Sequence, residues 1–538
     1  MIDSLSLSEK IGQLFVAGAH GTFMNATSPQ YLRLERAVRD LHVGGVIWFV
    51  SNVYETALVN QRLQSLARVP LLMSADLEAG VGMRFADTTF WAPAMAIAAT
   101  GDVAFAEAEG RLVAREAKAL GINQILAPVA DVNVDPDNPV INARSFGEDP
   151  AKVAQFVTAF IRGVQSENVL ATAKHFPGHG DTHVDSHRSL PVLHVSRERL
   201  DAVELVPFRA AIAAGVDAVM PGHLSVPALD PTPVPMRSGP TENRYVDGDS
   251  EAPAHGTLPA TLSKPIIDGL LRGELGFDGL VVSDAFDMGG LTEHFEPGEA
   301  AVRAIEAGQD QILMSPDIER AIAAVKAAVE SGRIAESRID ESVRRILAAK
   351  ARVGAPSAST DEIFTTVDSI EVRTTAAEIA RRAITLVRSG NEALPLKPDE
   401  RIGLLVVSEF NEQSNPLPDF AREVRDRLTH EPAFAVLDAR SNQTPSFDDV
   451  DVVVIALAIR ARSGAGTIAI PEFARGVIAN LTAKRIAISF GTPYLIRELP
   501  SVATYICAYG VQPVLQIAAA RALFGEEPMT GKLPVTLK

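Results

Sequence analysis

The first two thirds of the chain carry eight short runs that are apolar at nearly every position, and these runs constrain the fold most. They fall at 11–19, 43–50, 69–76, 124–131, 169–176, 216–223, 278–285 and 309–315. A strand with one wet face alternates, so near-continuous apolarity means cover on both faces, as in a parallel sheet. Between the runs lie stretches of helical period such as AFAEAEGRLVAREAKAL and ERAIAAVKAAVESG. AAGVDAVM (213–220) and EAGQDQIL (306–313) repeat an Ala-Gly-x-Asp signal, in which a glycine closes one helix and feeds the next strand. Eight such βα units predict a (β/α)₈ TIM-like barrel; an open doubly wound sheet shares the same pattern.

VGAPSASTDEIFTTVDS (353–369) breaks this rhythm with Gly, Pro, Ser and Thr. Beyond it, apolar runs at 401–407, 434–439, 451–459, 485–490 and 503–509 alternate again with helical stretches. The expected organisation is a catalytic barrel over 1–352, a linker over 353–372 and a smaller α/β sandwich domain over 373–538. Residues 231–263 fit neither rhythm. Their Pro, Gly and polar content reads as an insertion loop.

Composition narrows the function classes. With 47% hydrophobic and 22% charged residues, the chain is globular rather than disordered. Its net charge of −17 disfavours nucleic acid and anionic lipid as partners. The single Cys507 excludes a disulfide framework and a cysteine-based zinc site. No run reaches the ~20 apolar residues of a membrane span. The opening MIDSLSLSEKIGQL shows no export signal, so the expected location is cytoplasmic.

Chemistry collects where the runs end: Asp76, Asp131, Lys174 with His175, His223, and Ser283 with Asp284. An aspartate after a strand often only caps the next helix. Five such ends in one barrel, however, would converge on the carboxyl rim where barrel active sites form. The densest segment is KHFPGHGDTHVDSHRSLP (174–191), with His175, His179, His183 and His187 at intervals of four. On a helix these would make a metal-binding face, but Pro177, Gly178 and Gly180 forbid the helix. No metal and no cofactor is expected. Asp185 and His187 instead read as a local pair, in which the carboxylate engages one imidazole nitrogen and leaves the other to exchange protons.

That segment resembles the signature loop of bacterial β-N-acetylglucosaminidases of glycoside hydrolase family 3, the NagZ type. Further stretches follow in the family's order: ADLEAGVGMRF (75–85), NPVINARSFGEDP (138–150), AVMPGHLSVPALD (218–230) and VVSDAFDMGG (281–290). RRAITLVRSGNEALPL (381–396) and FGEEPMTGKLPVTL (524–537) are similar to the start and end of the family's second domain. The resemblance implies a retaining exo-enzyme acting on N-acetylglucosaminides of peptidoglycan or chitin type. It makes Asp284 the nucleophile and Asp185 with His187 the acid/base dyad. Asp76, Arg84, Arg144, Lys174 and His175 would bind the reacting sugar. A retaining glycosidase needs one ionised carboxylate and one proton donor, and these residues supply both.

Two departures bear on the leaving-group side. The family's E-G-G-R is here Glu78-Ala79-Gly80-Val81, without its first arginine, and about twenty residues from Met236 to Gly256 are inserted. The loop 459–470 either overhangs the barrel rim or simply turns. Phosphorolysis and β-glucosidase activity are the competing enzymatic readings, since a neutral imidazole lets phosphate approach. A non-catalytic sugar-binding relative and a metal-dependent hydrolase are the remaining alternatives.

Overall fold

The computed structural model describes residues 2–21, 23–235, 256–355, 358–390, 393–408, 415–461 and 468–537. Eight parallel strands lie in the first part: β1 (Phe15–Ala19), β2 (Gly45–Trp48), β3 (Leu72–Ala75), β4 (Gln124–Ile125), β5 (Leu170–Phe176), β6 (Ala218–Pro221), β7 (Leu280–Val281) and β8 (Ile312–Leu313). Each falls inside one of the apolar runs, and all are buried apart from one residue of β1. Their order is β7-β6-β5-β4-β3-β2-β1-β8. A bridge from Val282 to Gln311 joins the two outer strands, with Ser283 N donating to Gln311 O at 2.9 Å. The sheet therefore closes into a barrel, and the open-sheet alternative falls.

The Ala-Gly-x-Asp echo has a structural cause. Gly215 and Gly308 follow the helices Leu205–Ala213 and Pro297–Ala307 with φ of +76° and +115°, where a side chain would be strained. The aspartate two positions on then ties down the preceding strand. Asp217 accepts from Ala171 N (3.3 Å) and Asp310 from Val281 N (3.0 Å). Elsewhere glycine permits close helix packing: a Cβ at Gly110 would lie 2.4 Å from Phe160 O, and one at Gly163 would lie 2.2 Å from Glu107 O. These contacts press the helices Ala104–Ala119 and Pro150–Ser166 together.

The expected linker contains the helix Thr360–Thr366, and the helix Ile370–Ala383 begins before residue 372. A second sheet follows: β9 (Thr385–Arg388), β10 (Ile402–Ser408), β11 (Ala433–Leu437), β12 (Val452–Ala458), β13 (Lys484–Ser489) and β14 (Thr504–Cys507). Its order is β11-β10-β12-β13-β14-β9, parallel except for β9, which runs antiparallel along β14. Five of these strands follow the apolar runs. β9 falls outside those runs because only Leu386 and Val387 of its four residues are apolar.

The second part is tied to the loops after the barrel strands. Asn133 Nδ2 donates to Tyr494 Oη (3.2 Å), Glu148 N to Pro534 O (3.2 Å) and Lys532 N to Ala99 O (2.8 Å). The inserted segment 236–255 lies outside the described residues. Its base is a clip in which Val234 N donates to Gly256 O and Leu258 N to Thr232 O. No described helix is long and apolar enough to cross a membrane.

Candidate active site

At the carboxyl ends of the barrel strands lies a cavity of about 500 Å³. Asp76, Arg84, Arg144, Lys174, His175, His187 and Asp284 all line it. Of the eight residues expected at the site, Asp185 alone stands behind the wall, buried against His187. Asp76 follows β3 directly, and Lys174 and His175 belong to β5. Arg144 ends the short turn Asn142–Arg144, and Arg84 follows the turn Val81–Met83.

One floor of the cavity is a network of alternating charges. Lys174 Nζ, almost fully buried, lies 2.8 Å from Asp76 Oδ1 and 2.6 Å from Glu78 Oε1. Arg84 Nη2 donates to the other oxygen of Asp76 at 2.7 Å. Arg144 grips Glu78 with Nε and Nη2, both at 2.8 Å, the fork-on-carboxylate geometry that only arginine provides. Burial pushes both carboxyls up, but Lys174 and Arg84 outweigh it and hold Asp76 at about 2. Arg144 and Lys174 likewise hold Glu78 well below the usual range. Glu78 was not singled out in the sequence as a site residue. Its signal was available: it sits two residues beyond Asp76 in the same strand-end segment.

This network permits a stability test. Carboxyls depressed in the folded state add stability above their unfolded values of about 3.8 and 4.5, and lose it as pH falls toward their folded values. Lys174→Met leaves Asp76 and Glu78 as neighbouring buried anions. Unfolding in urea at pH 7 should show a loss of about 3–5 kcal/mol, shrinking toward pH 4 as the carboxyls take up protons. An equal loss at both pH values would show that the cation does not hold these carboxylates ionised.

The missing family arginine also has a structural account. Val81 is fully buried and does not line the cavity. The preceding Gly80 has φ +81°, and a Cβ there would lie 2.1 Å from Trp91 Cδ1. The turn is pressed onto the Trp91 ring, so position 81 serves the core. Arg84 holds its place by Asp76 and by the Phe49 ring, 5.0 Å from its guanidinium carbon.

The four histidines do not gather. His175 Nδ1 lies 2.7 Å from Asp131, His179 Nδ1 2.9 Å from Thr182 Oγ1, His183 Nδ1 2.5 Å from Asp135 and His187 Nδ1 2.8 Å from Asp185. Among the described residues no three His, Cys, Asp or Glu side chains are arranged to hold a metal ion. Asp131, noticed in the sequence as a strand end, is fully buried and works indirectly. It accepts from His175 N and His179 N (3.2 and 2.7 Å) and fixes the His175 ring at the cavity wall.

Asp185 Oδ1 accepts from His187 N at 2.8 Å and faces Nδ1 at the same distance. A carboxylate at Nδ1 places the proton there and leaves Nε2 for proton exchange. The same loop is clamped to the one bearing Asp284: Gly289 N donates to His187 O and Gly290 N to Ser186 O, both at 3.0 Å. A Cβ on Gly290 would lie 3.0 Å from Ser186 O, so glycine permits this approach.

Asp284 is half-buried and accepts from Ala285 N at 2.8 Å. Burial pushes its carboxyl up, but His175, His223 and His187 together bring it below the usual value. His223, another expected strand-end group, does not reach the cavity. It is fully buried between Thr261 Oγ1 (2.8 Å) and Ala285 O (2.9 Å), where it braces the backbone beside Asp284. Burial lowers its pKa.

The second part of the chain completes the wall with Arg460, Ala461, Tyr509, Gly510, Val511 and Gln512. Of the loop at 459–470, Arg460 and Ala461 thus reach the cavity, and residues 462–467 lie outside the described residues. The turn at 509–512 carried no sequence signal.

A closed βα barrel with paired carboxylates and an Asp–His pair at its carboxyl rim, roofed by a second α/β layer, defines a class of carbohydrate-cleaving enzyme. The description "Glycosyl hydrolase family 3 N terminal domain" matches residues 6–349. The chain belongs to glycoside hydrolase family 3, and it is an enzyme of that family. A β-N-acetylglucosaminidase/β-glucosidase from Cellulomonas fimi is 33% identical over 98% of this chain and 93% of its own length. A β-hexosaminidase from Pseudomonas aeruginosa is 34% identical over 57% of this chain and 84% of its own. Among solved structures, a family 3 β-N-acetylglucosaminidase from a Paenibacillus species superposes with a TM-score of 0.83 at 34% identity, covering 99% of both chains. A β-glucoside phosphorylase superposes at 0.85 with 27% identity, over 99% of this chain and 95% of its own.

Proposed function

We propose that the protein is a retaining exo-β-N-acetylglucosaminidase, releasing terminal N-acetylglucosamine from peptidoglycan-derived or chitin-type oligosaccharides. One observation carries this reading: His187, held from behind the wall by Asp185, and the Asp284 carboxylate line one cavity, and their loops are clamped together by backbone bonds from Gly289 and Gly290. Asp284 attacks the anomeric carbon while His187 Nε2 protonates the departing oxygen. Water then attacks the glycosyl-enzyme as the now neutral imidazole takes its proton back. Asp185 orients the ring through Nδ1. Asp76, Arg84, Arg144, Lys174 and His175 bind the hydroxyls of the reacting sugar, and their fixed mutual pairing means that little reorganises on binding. The names of the Cellulomonas, Pseudomonas and Paenibacillus relatives support the N-acetylglucosaminide.

Phosphorolysis is the second reading. Its support is the imidazole itself, which is neutral after the first step and does not repel phosphate as a carboxylate would, together with the phosphorylase relative. Initial rates on 4-nitrophenyl N-acetyl-β-glucosaminide and on the matching β-glucoside, each with and without 10 mM phosphate as a chosen ~saturating level, test both. The expected result is faster turnover of the N-acetylglucosaminide with free sugar as product. Phosphate acceleration with release of sugar 1-phosphate would select the second reading. Preference for the glucoside would remove the first.

A further inference from the structure

The cavity wall carries two imidazoles that are backed by aspartates in the same way. Asp185 accepts from the backbone N–H of His187 and faces its Nδ1, and Asp131 does the same for His175. Asp185 is a near neighbour of its ring in sequence. Asp131 instead reaches across from the loop that follows β4 to the end of β5. Its Oδ2 lies 2.7 Å from His175 Nδ1, and its Oδ1 accepts from His175 N at 3.2 Å and from His179 N at 2.7 Å. The carboxylate is fully buried, and both of its oxygens are taken up by N–H groups of the protein. Contacts to the backbone and to the ring of one histidine fix the orientation of that ring. A carboxylate offers no proton, so the hydrogen between it and Nδ1 is the ring's own. His175 lines the cavity, and with Nδ1 engaged, Nε2 is the nitrogen left to meet a ligand.

We propose that Asp131 is a positioning residue for the reacting sugar: its Oδ2 fixes the His175 ring and keeps a proton on Nδ1, so that Nε2 meets a sugar hydroxyl. The inference rests on the reading that His175 binds the reacting sugar. Oδ1 has a separate task, because His179 N lies at the origin of the loop that carries Asp185 and His187. Chemistry separates the two tasks. In Asp131→Asn the amide oxygen keeps the backbone N–H groups, since the opposite orientation would set the amide N–H₂ against them. The N–H₂ then faces Nδ1, which has to accept, and the ring proton moves to Nε2. The substitution thus changes what His175 offers the sugar and leaves the loop anchored.

The test reads the proton and the kinetics independently. In protein carrying isotope-labelled histidine, long-range proton–nitrogen correlation spectra distinguish a protonated from an unprotonated ring nitrogen. The His175 signals are those lost in His175→Ala. At about pH 8, above the ordinary titration range of imidazole, Nδ1 is expected to carry a proton in the wild type and to lose it in Asp131→Asn. The same variant should lower kcat/KM by about tenfold to a hundredfold, the range expected when a buried polar atom faces the wrong partner. The loss should be equal on a nitrophenyl glycoside and on a disaccharide, because proton transfer to the leaving group is untouched. In a His175→Ala background, Asp131→Asn should change kcat/KM by less than about twofold, because the two residues act as one unit. An Nδ1 without a proton in the wild type overturns the proposal, and that measurement stands even where Asp131→Asn does not fold. A loss in the His175→Ala background as large as in the wild type also overturns it, marking a purely structural carboxylate. So does a loss confined to the disaccharide, which would assign Asp131 to the loop of the acid/base pair. If neither glycoside is cleaved, the functional reading has failed by itself, and the spectra still decide whether Asp131 sets the proton of His175.

Discussion

Replacing Asp284 with alanine is expected to lower kcat on every substrate by on the order of 10⁴-fold or more, the scale of losing a nucleophile whose partners cannot act without it. The fold should survive. Asp284 is a half-buried strand-end group, and its own hydrogen bond is to the next backbone N–H. Circular dichroism and the urea midpoint should therefore stay within about 1 kcal/mol of the parent. A 5-fluoro N-acetylglucosaminyl fluoride should trap the glycosyl-enzyme and add one sugar to the peptide containing Asp284. Label on any other peptide would reassign the nucleophile. Because His175, His223 and His187 hold the carboxyl below its usual value of 3.8, Asp284 should remain competent throughout the weakly acidic range. Its protonation should remove activity only as pH falls below that value.

The second large effect belongs to His187 and depends on what leaves. A nitrophenolate needs little protonation, whereas a sugar hydroxyl needs nearly all of it. His187→Ala should therefore cost about 10²–10⁴-fold in kcat on a disaccharide, and far less on the nitrophenyl glycoside. Asp185→Ala should repeat that leaving-group dependence more mildly, since the imidazole remains but loses the carboxylate 2.8 Å from Nδ1. Equal losses on both substrates would mean that the pair supports the loop and not the proton transfer. Gly289 N and Gly290 N hold the same loop through the backbone oxygens of His187 and Ser186, so the two side-chain variants should leave its position unchanged.

The extent to which the site could be read from the sequence follows from the range of each interaction. Asp185 and His187 are two residues apart, and a pair that close is visible wherever a chain is extended. The strand-end rule located Asp76, Lys174, His175 and Asp284 because a parallel barrel strand leaves its carboxyl end at the rim. It also overreached. His223 obeys the rule and is nevertheless buried against Thr261 and Ala285. The fourfold spacing of the histidines carried no shared face, because the backbone there is a Pro/Gly loop and each ring found its own partner. The insertion expected to shape the leaving-group side lies, over 236–255, outside the described residues.

The sequence by itself determined the architecture. Near-continuous apolar runs need cover on both faces, helical stretches between them supply it, and eight repeats suffice to close a barrel. The motif order determined the family for the same reason: those residues act through neighbours in sequence or through a rim that the fold makes generic. The tertiary structure alone decided which charges are committed. Glu78 becomes the common partner of Arg144 and Lys174 only when β3, β5 and the turn at 142–144 meet, and nothing in their separate segments records that distance. Arg460 and Gln512 reach a cavity whose other walls come from the barrel, far earlier in the chain, because the second sheet docks with its strand ends toward the barrel rim. Long-range pairing is a property of packed surfaces; a linear pattern encodes what each surface is made of, and only packing sets which surfaces touch.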